Sequence, residues 1–240
     1  MKTSIFLLAN LLCLSFFANT SFAGDVYAEY KMTGMGNKPI ITKIYSKNGD
    51  LRTEADVEMG NRKMTTNSLM FKSKPDITLV FNAMNKTYTE VKNTNSASSV
   101  KDFDVKVIGN EKIGNYNCTH VKMSSNGQSW DMWYAKDLPS ISFPVSGQNS
   151  ASSKKMLALL KSKGITGMPV KISIVKPGSS TGMTMLLTKY EQKTLSAALF
   201  TIPAGYKKSS VSFDAEKMKN MTPQQKKEMI MKMMKEQGKQ

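Results

Sequence analysis

Apolar and polar residues alternate with period two along most of this chain, a spacing that puts successive side chains on opposite faces of a strand. The cleanest case sets Leu51, Thr53, Ala55, Val57 and Met59 against Arg52, Glu54, Asp56 and Glu58. Weaker versions follow in Val26/Ala28/Tyr30/Met32, Ile77/Leu79/Phe81, Phe103/Val105/Val107, Trp130/Met132/Tyr134, Val170/Ile172/Ile174 and Met183/Met185/Leu187. Between them lie turn signals, among them Asn48-Gly49-Asp50, Asn82 to Lys86, Asn126-Gly127 and Pro177-Gly178. Short strands joined by tight polar turns predict an antiparallel sheet.

Two segments change to helical spacing. From about Ser152 to Lys163, Met156, Leu157, Leu159 and Leu160 stand among lysines, with serines at 150, 152 and 153 as N-caps and Gly164 as a C-cap. Near the C-terminus, Thr222-Pro223-Gln224-Gln225 has a capping Thr, a Pro at the first helical position and a Gln three residues after the cap. Met229, Ile230, Met233 and Met234 then form one apolar stripe.

The first residues read as an address. Lys2 gives a positive start, Ile5 to Phe17 form an apolar run, and Ser21-Phe22-Ala23 is a small-x-Ala cleavage site. The run is shorter than the roughly 20 residues that a membrane-spanning helix needs, and Leu12 before Cys13 does not fit a lipobox. The expectation is an exported protein, periplasmic or secreted, cleaved after Ala23. Removing residues 1–23 leaves 33 basic and 18 acidic residues, a net charge of +15. That charge favours anionic surfaces. With only two arginines, Arg52 and Arg62, the chain lacks the bidentate donors used to read nucleic acid. After cleavage Cys118 is the sole cysteine, so no internal disulfide forms and the fold stands on its core.

Three features invite chemistry. Cys118 and His120 alternate with Thr119 and Val121, so on a strand both would point the same way. A thiol nucleophile or a zinc site needs further partners at defined positions, and no spacing supplies them. Ser152 with Lys155 makes a Ser-x-x-Lys match unaccompanied by the other triplets of that hydrolase class. Methionine numbers 19, six of them between Met218 and Met234, and clustered thioethers suit Cu(I). Helix packing explains Met229, Met233 and Met234 without a metal. The reading assigns no catalytic residue, no metal site and no cofactor.

Four segments, Leu51-Arg52-Thr53-Glu54, residues 109–118 (GNEKIGNYNC), Trp133-Tyr134-Ala135-Lys136-Asp137-Leu138-Pro139 and Phe200-Thr201-Ile202-Pro203-Ala204-Gly205-Tyr206, occur in an order and spacing that resembles an exported bacterial family known only as domain of unknown function 4412. That family resembles in fold the periplasmic lipoprotein carrier and its outer-membrane acceptor. The resemblance implies a mainly β (α+β) protein, in which a curved antiparallel sheet forms an open half-barrel with a helical lid. It implies a half-barrel domain over 24–212, followed by a Met/Lys-rich amphipathic helix over 213–240. Relatives of that fold carry acyl chains, sterols or lipoproteins. The carrier's arginine latch does not map onto Arg52 or Arg62.

On this reading Trp130, Met132, Tyr134, Met183, Met185 and Leu187 are candidate cavity liners, with ordinary core packing as the competing role, and Met156, Leu157 and Leu160 are candidate lid residues. The expected function is non-enzymatic binding of a hydrophobic ligand, lipid or lipidated partner near an anionic membrane surface, with no nucleic acid involved. A Cu(I)-handling protein using the Met-rich tail and a hydrolase centred on Cys118 or Ser152 are the alternatives.

Overall fold

The computed structural model describes residues 24–34, 38–59, 62–92, 102–125, 127–139, 151–175, 182–209 and 222, excluding the side chains of 57–59, 62–64 and 151–153. The first strands are β1 (Val26–Thr33), β2 (Ile40–Lys47), β3 (Asp50–Met59), β4 (Arg62–Met70), β5 (Ile77–Asn82) and β6 (Thr87–Lys92). There follow β7 (Asp104–Ile113), β8 (Tyr116–Ser125), β9 (Gln128–Ala135), helix α1 (Ala151–Ser162), β10 (Met168–Val175), β11 (Gly182–Gln192), a 3-10 turn (Ala197–Phe200) and β12 (Lys207–Lys208). Among the described residues, all twelve strands join one open sheet in the order β12-β6-β5-β4-β3-β2-β1-β11-β10-β9-β8-β7. Every neighbouring pair is antiparallel except β12 with β6.

The mainly β reading holds, and the strands with alternating patterns stand where the alternation places them. The pattern alone did not single out β2, β4 and β6. Ile40 and Ile41 break the alternation of β2, and hydroxyl residues dominate β4 and β6. Their neighbours recruit them: Lys47 pairs with Asp50 across a two-residue Asn48-Gly49 loop, a connection that folds β3 directly back on β2.

The core divides into three clusters. The first gathers Val26, Ala28, Tyr30, Ile44 and Leu51 with Cys118, Ala135, Met168, Val170 and Leu187. The β10–β11 ladder covers only 171–175 with 182–186, and β10 and β11 both carry a register shift just beyond it. Beyond the ladder the Tyr30 hydroxyl of β1 donates to the Pro169 carbonyl of β10 at 2.7 Å. The second cluster centres on Val121, Met123, Met132, Tyr134 and Ile172, with Leu160 and Ile165 from the α1 region. The third packs Tyr27, Leu69, Leu79 and Phe81 against Leu195 and Phe200.

Two expectations change. The even residues of β3 do not all face water: Arg52 is buried, because its Nε donates to Glu54 Oε1 at 2.9 Å and its Nη1 to the Leu199 carbonyl at 3.1 Å. A helix does pack on the sheet between β9 and β10, yet Leu157 is not part of its contact. It is 57% exposed, while Met156, Leu159 and Leu160 touch the second cluster. Successive helical residues are rotated by about 100°, so i, i+3 and i+4 share a face and i+1 does not. The signal segment 1–23, the tail over 213–240 apart from Thr222, and hence the Met-rich stripe, lie outside the described residues.

Candidate functional site

Residues opposite one another on neighbouring strands share a face, so the register assembles rows of side chains. One row runs Val105, Met123, Trp130, Ile174, Met183 across β7 to β11. Beside it runs a second, Val107, Val121, Met132, Ile172, Met185, which reaches Met32 on β1. Four of the six predicted liners, Trp130, Met132, Met183 and Met185, stand in these rows, and Tyr134 is next along β9. Leu187 follows Met185 by two residues on β11, pairs with Tyr30 beyond the end of the β10–β11 ladder and packs in the first cluster.

Helix α1 lies over this face because its end is fixed. Gly164 adopts φ +71, the Ile165 N–H donates to the Leu160 carbonyl at 3.0 Å, and the Gly164 N–H donates to the Lys161 carbonyl at 3.0 Å. This is a Schellman cap, and its accompanying apolar contact is Leu160 with Ile165, both buried in the second cluster. Gly167, at φ +92, then lets the chain pass Ala135: a Cβ there would lie 2.0 Å from the Ala135 carbonyl oxygen. Toward its N-terminus α1 has one ion pair to the sheet region, Lys155 with Asp102 at 2.5 Å, on exposed side chains. Apolar surface remains open at the helix margin, where Phe103, Trp130, Ile174, Met156 and Leu159 are only partly buried. Phe103 and Trp130 meet edge to face at 6.3 Å. Tyr134 is buried, and desolvation pushes its phenol well above the usual range.

The opposite face of the same strands is mixed: Cys118, Trp133 and Ala135 belong to the first cluster, and polar side chains gather around Trp133. His120 stacks on Trp133 with ring centroids 4.3 Å apart, and Lys171 covers the Trp133 ring at 4.2 Å. His120 Nε2 lies 2.9 Å from Asp131 Oδ1, and Trp133 Nε1 donates to Glu111 Oε2 at 2.5 Å. The sequence reading missed this group. Its members sit on four strands, and the registers of β7 with β8, β8 with β9 and β9 with β10 bring them together.

Cys118 and His120 do share a strand, but they do not form a dyad. Cys118 is buried, its Sγ lies 3.6 Å from the Tyr116 carbonyl, and burial raises its pKa. A thiol held protonated in an apolar setting is a poor nucleophile. The imidazole is oriented by Asp131 instead. The Ser152 side chain lies outside the described residues.

Against known proteins, the chain matches the domain of unknown function DUF4412 over residues 22–206. It belongs to the DUF4412 family. The family match spans all four segments that carried the resemblance. No curated protein matches the chain. Among solved structures it is similar to an uncharacterized conserved protein from Thermus thermophilus, with 8% identity and a TM-score of 0.52, over 78% of this chain and 91% of that one. A structure of PNGF-II is 14% identical, with a TM-score of 0.45, over 82% of this chain and 32% of the PNGF-II chain. MucB is 8% identical, with a TM-score of 0.40, over 72% of this chain and 55% of its own. The Thermus thermophilus likeness is one of fold alone. Among the described residues no helix is long and apolar enough to cross a membrane.

Proposed function

We propose that this DUF4412 protein is a non-enzymatic envelope protein that binds a hydrophobic ligand, lipid or lipidated partner on the face beneath α1. One observation carries the reading. Two cross-strand rows of apolar side chains lie side by side, and the first is incompletely covered at Trp130 and Ile174, near a helix attached by apolar contacts. Covering that surface with a ligand removes apolar area from water at roughly 25 cal/mol per Å², or about 2.5 kcal/mol per 100 Å². The outer surface of α1 carries the exposed Lys154, Lys155, Lys161 and Lys163, which draws the site toward anionic surfaces.

Native mass spectrometry of protein purified from its own host is the test. The expected result is a co-purifying lipid or acylated partner that Trp130→Ala or Leu160→Ala reduces. Protein that carries none, and takes up none when offered extracted lipids, refutes the reading. Export is tested separately by N-terminal sequencing of the same material, which is expected to begin at Gly24.

A further inference from the structure

The apolar face beneath α1 holds two oxygen atoms without a proper partner among the described residues. Tyr134 is 7% exposed, and its hydroxyl reaches only the Met132 sulfur, at 3.4 Å. A thioether is a weak acceptor, so the phenol proton has no strong partner among the described residues. Ser125 is 8% exposed, and by alternation along β8 it shares the face of Val121 and Met123. Its Oγ has no hydrogen-bond partner among the described residues. Buried polar groups are rarely left so, and an unpaired one calls for an explanation.

The two hydroxyls are well separated. Tyr134 pairs with Thr119 at one end of β8, and Ser125 stands at the other, so they bracket an apolar strip roughly 20 Å long at ~3.3 Å per residue. Met123 with Trp130 and Val121 with Met132 line it, and Val121, Met123 and Met132 are buried in one cluster with Leu160 and Ile165, whose contacts a bound chain would replace. Neither row carries a cationic side chain, and the α1 lysines are exposed on its outer side. A carboxylate drawn onto this strip would thus lose water without gaining a counter-charge, whereas a neutral acceptor would satisfy Tyr134 at little electrostatic cost.

Resting on the apolar-ligand reading above, we propose that the bound molecule is an amphiphile whose polar end is a neutral carbonyl, an ester or amide. That carbonyl accepts the Tyr134 hydroxyl proton while the apolar chain lies along the rows toward Ser125. Burial keeps Tyr134 protonated, and so a donor, over the whole working pH range.

Competition against the neutral dye Nile red, with nonane, methyl octanoate and octanoate as probes, tests this in the full-length protein. In the wild type, methyl octanoate is expected to displace the dye about five- to tenfold more tightly than nonane, in line with one net hydrogen bond, and also more tightly than octanoate. Tyr134→Phe, which keeps the ring, is expected to leave nonane affinity in place and to bring the ester down to it. Equal binding of ester and alkane by the wild type, tighter binding of octanoate, or an ester preference that survives in Tyr134→Phe overturns the carbonyl assignment while the apolar site stands. A protein that binds neither Nile red nor any probe overturns both readings. The wild-type comparison needs no variant, so it stands even where Tyr134→Phe is unstable.

Discussion

Among the described residues the sheet carries two short helical elements; both pack apolar side chains on it, but one adds hydrogen bonds from partly buried polar groups. The 3-10 turn Ala197–Phe200 is clasped by polar groups: Arg52 donates to the Leu199 carbonyl, and the nearby Leu195 N–H donates to Asp25 Oδ2 at 2.8 Å while Lys47 pairs with the same carboxylate. Helix α1 is held by Met156, Leu159 and Leu160, with one ion pair on exposed side chains. Hydrogen bonds to buried groups are directional and costly to leave unmade, whereas apolar contact is non-directional and can be re-formed with another apolar body. The polar clasp therefore adds directional constraints to one helical element, whereas α1 rests on non-directional contact.

The strongest way to break this contrast is at Arg52. Arg52→Ala removes the buried guanidinium that donates to the Leu199 carbonyl and pairs with the partly buried Glu54, which keeps the Tyr45 hydroxyl as donor, and is expected to destabilise the fold by ~2 kcal/mol, read as a lower urea midpoint. Next comes Leu160→Ala, which removes the buried C-terminal anchor of α1. A cost of about 2 kcal/mol is expected, at the low end for Leu truncation because the helix can settle onto the sheet. Amide hydrogen exchange would sharpen the point: protection should fall in α1 and remain in β8 and β9. Loss of protection throughout would show that α1 is not separable from the sheet.

Acid probes the polar clasp directly. The Lys47 ammonium, and then the Leu195 N–H, hold the Asp25 carboxyl below the ordinary carboxylate value. A group whose folded pKa is depressed contributes stability above its unfolded pKa, near 4, and loses that contribution as pH falls through the folded value. Wild type is thus expected to be more stable than Asp25→Asn at pH 7, and the gap should narrow at pH 3 when urea midpoints are compared. A constant gap would mean that the carboxylate charge is not what Asp25 contributes. The smallest effect belongs to the exposed pair of α1. Lys155→Ala is expected to leave the melting temperature unchanged, since ion pairs on exposed side chains contribute little.

Individual residues show where legibility stopped. Trp130, Met132 and Tyr134 were readable as one face of a strand, because alternation along a single segment is local. The polar group of His120, Trp133, Asp131, Glu111 and Lys171 was not readable, because its members become neighbours only through the registers of four strands. The pairing of Cys118 with His120 on a strand suggested a dyad. The side chain that orients the histidine comes from β9, eleven residues away.

By itself the sequence determined the strand-rich class, the position of α1 with its Gly164 stop, and the turns at Asn48-Gly49 and before Lys86, all of which follow from local periodicity and backbone preference. Tertiary structure decided what the strands build together. It brought Met183 and Met185 into rows with Trp130 and Met132, packed Leu187 with Tyr30 in the first cluster, and buried Arg52. The reason is physical. Alternation fixes which side of its own strand a residue occupies, but register, bulges and the covering helix decide what stands opposite it. Those depend on contacts between residues far apart in the chain.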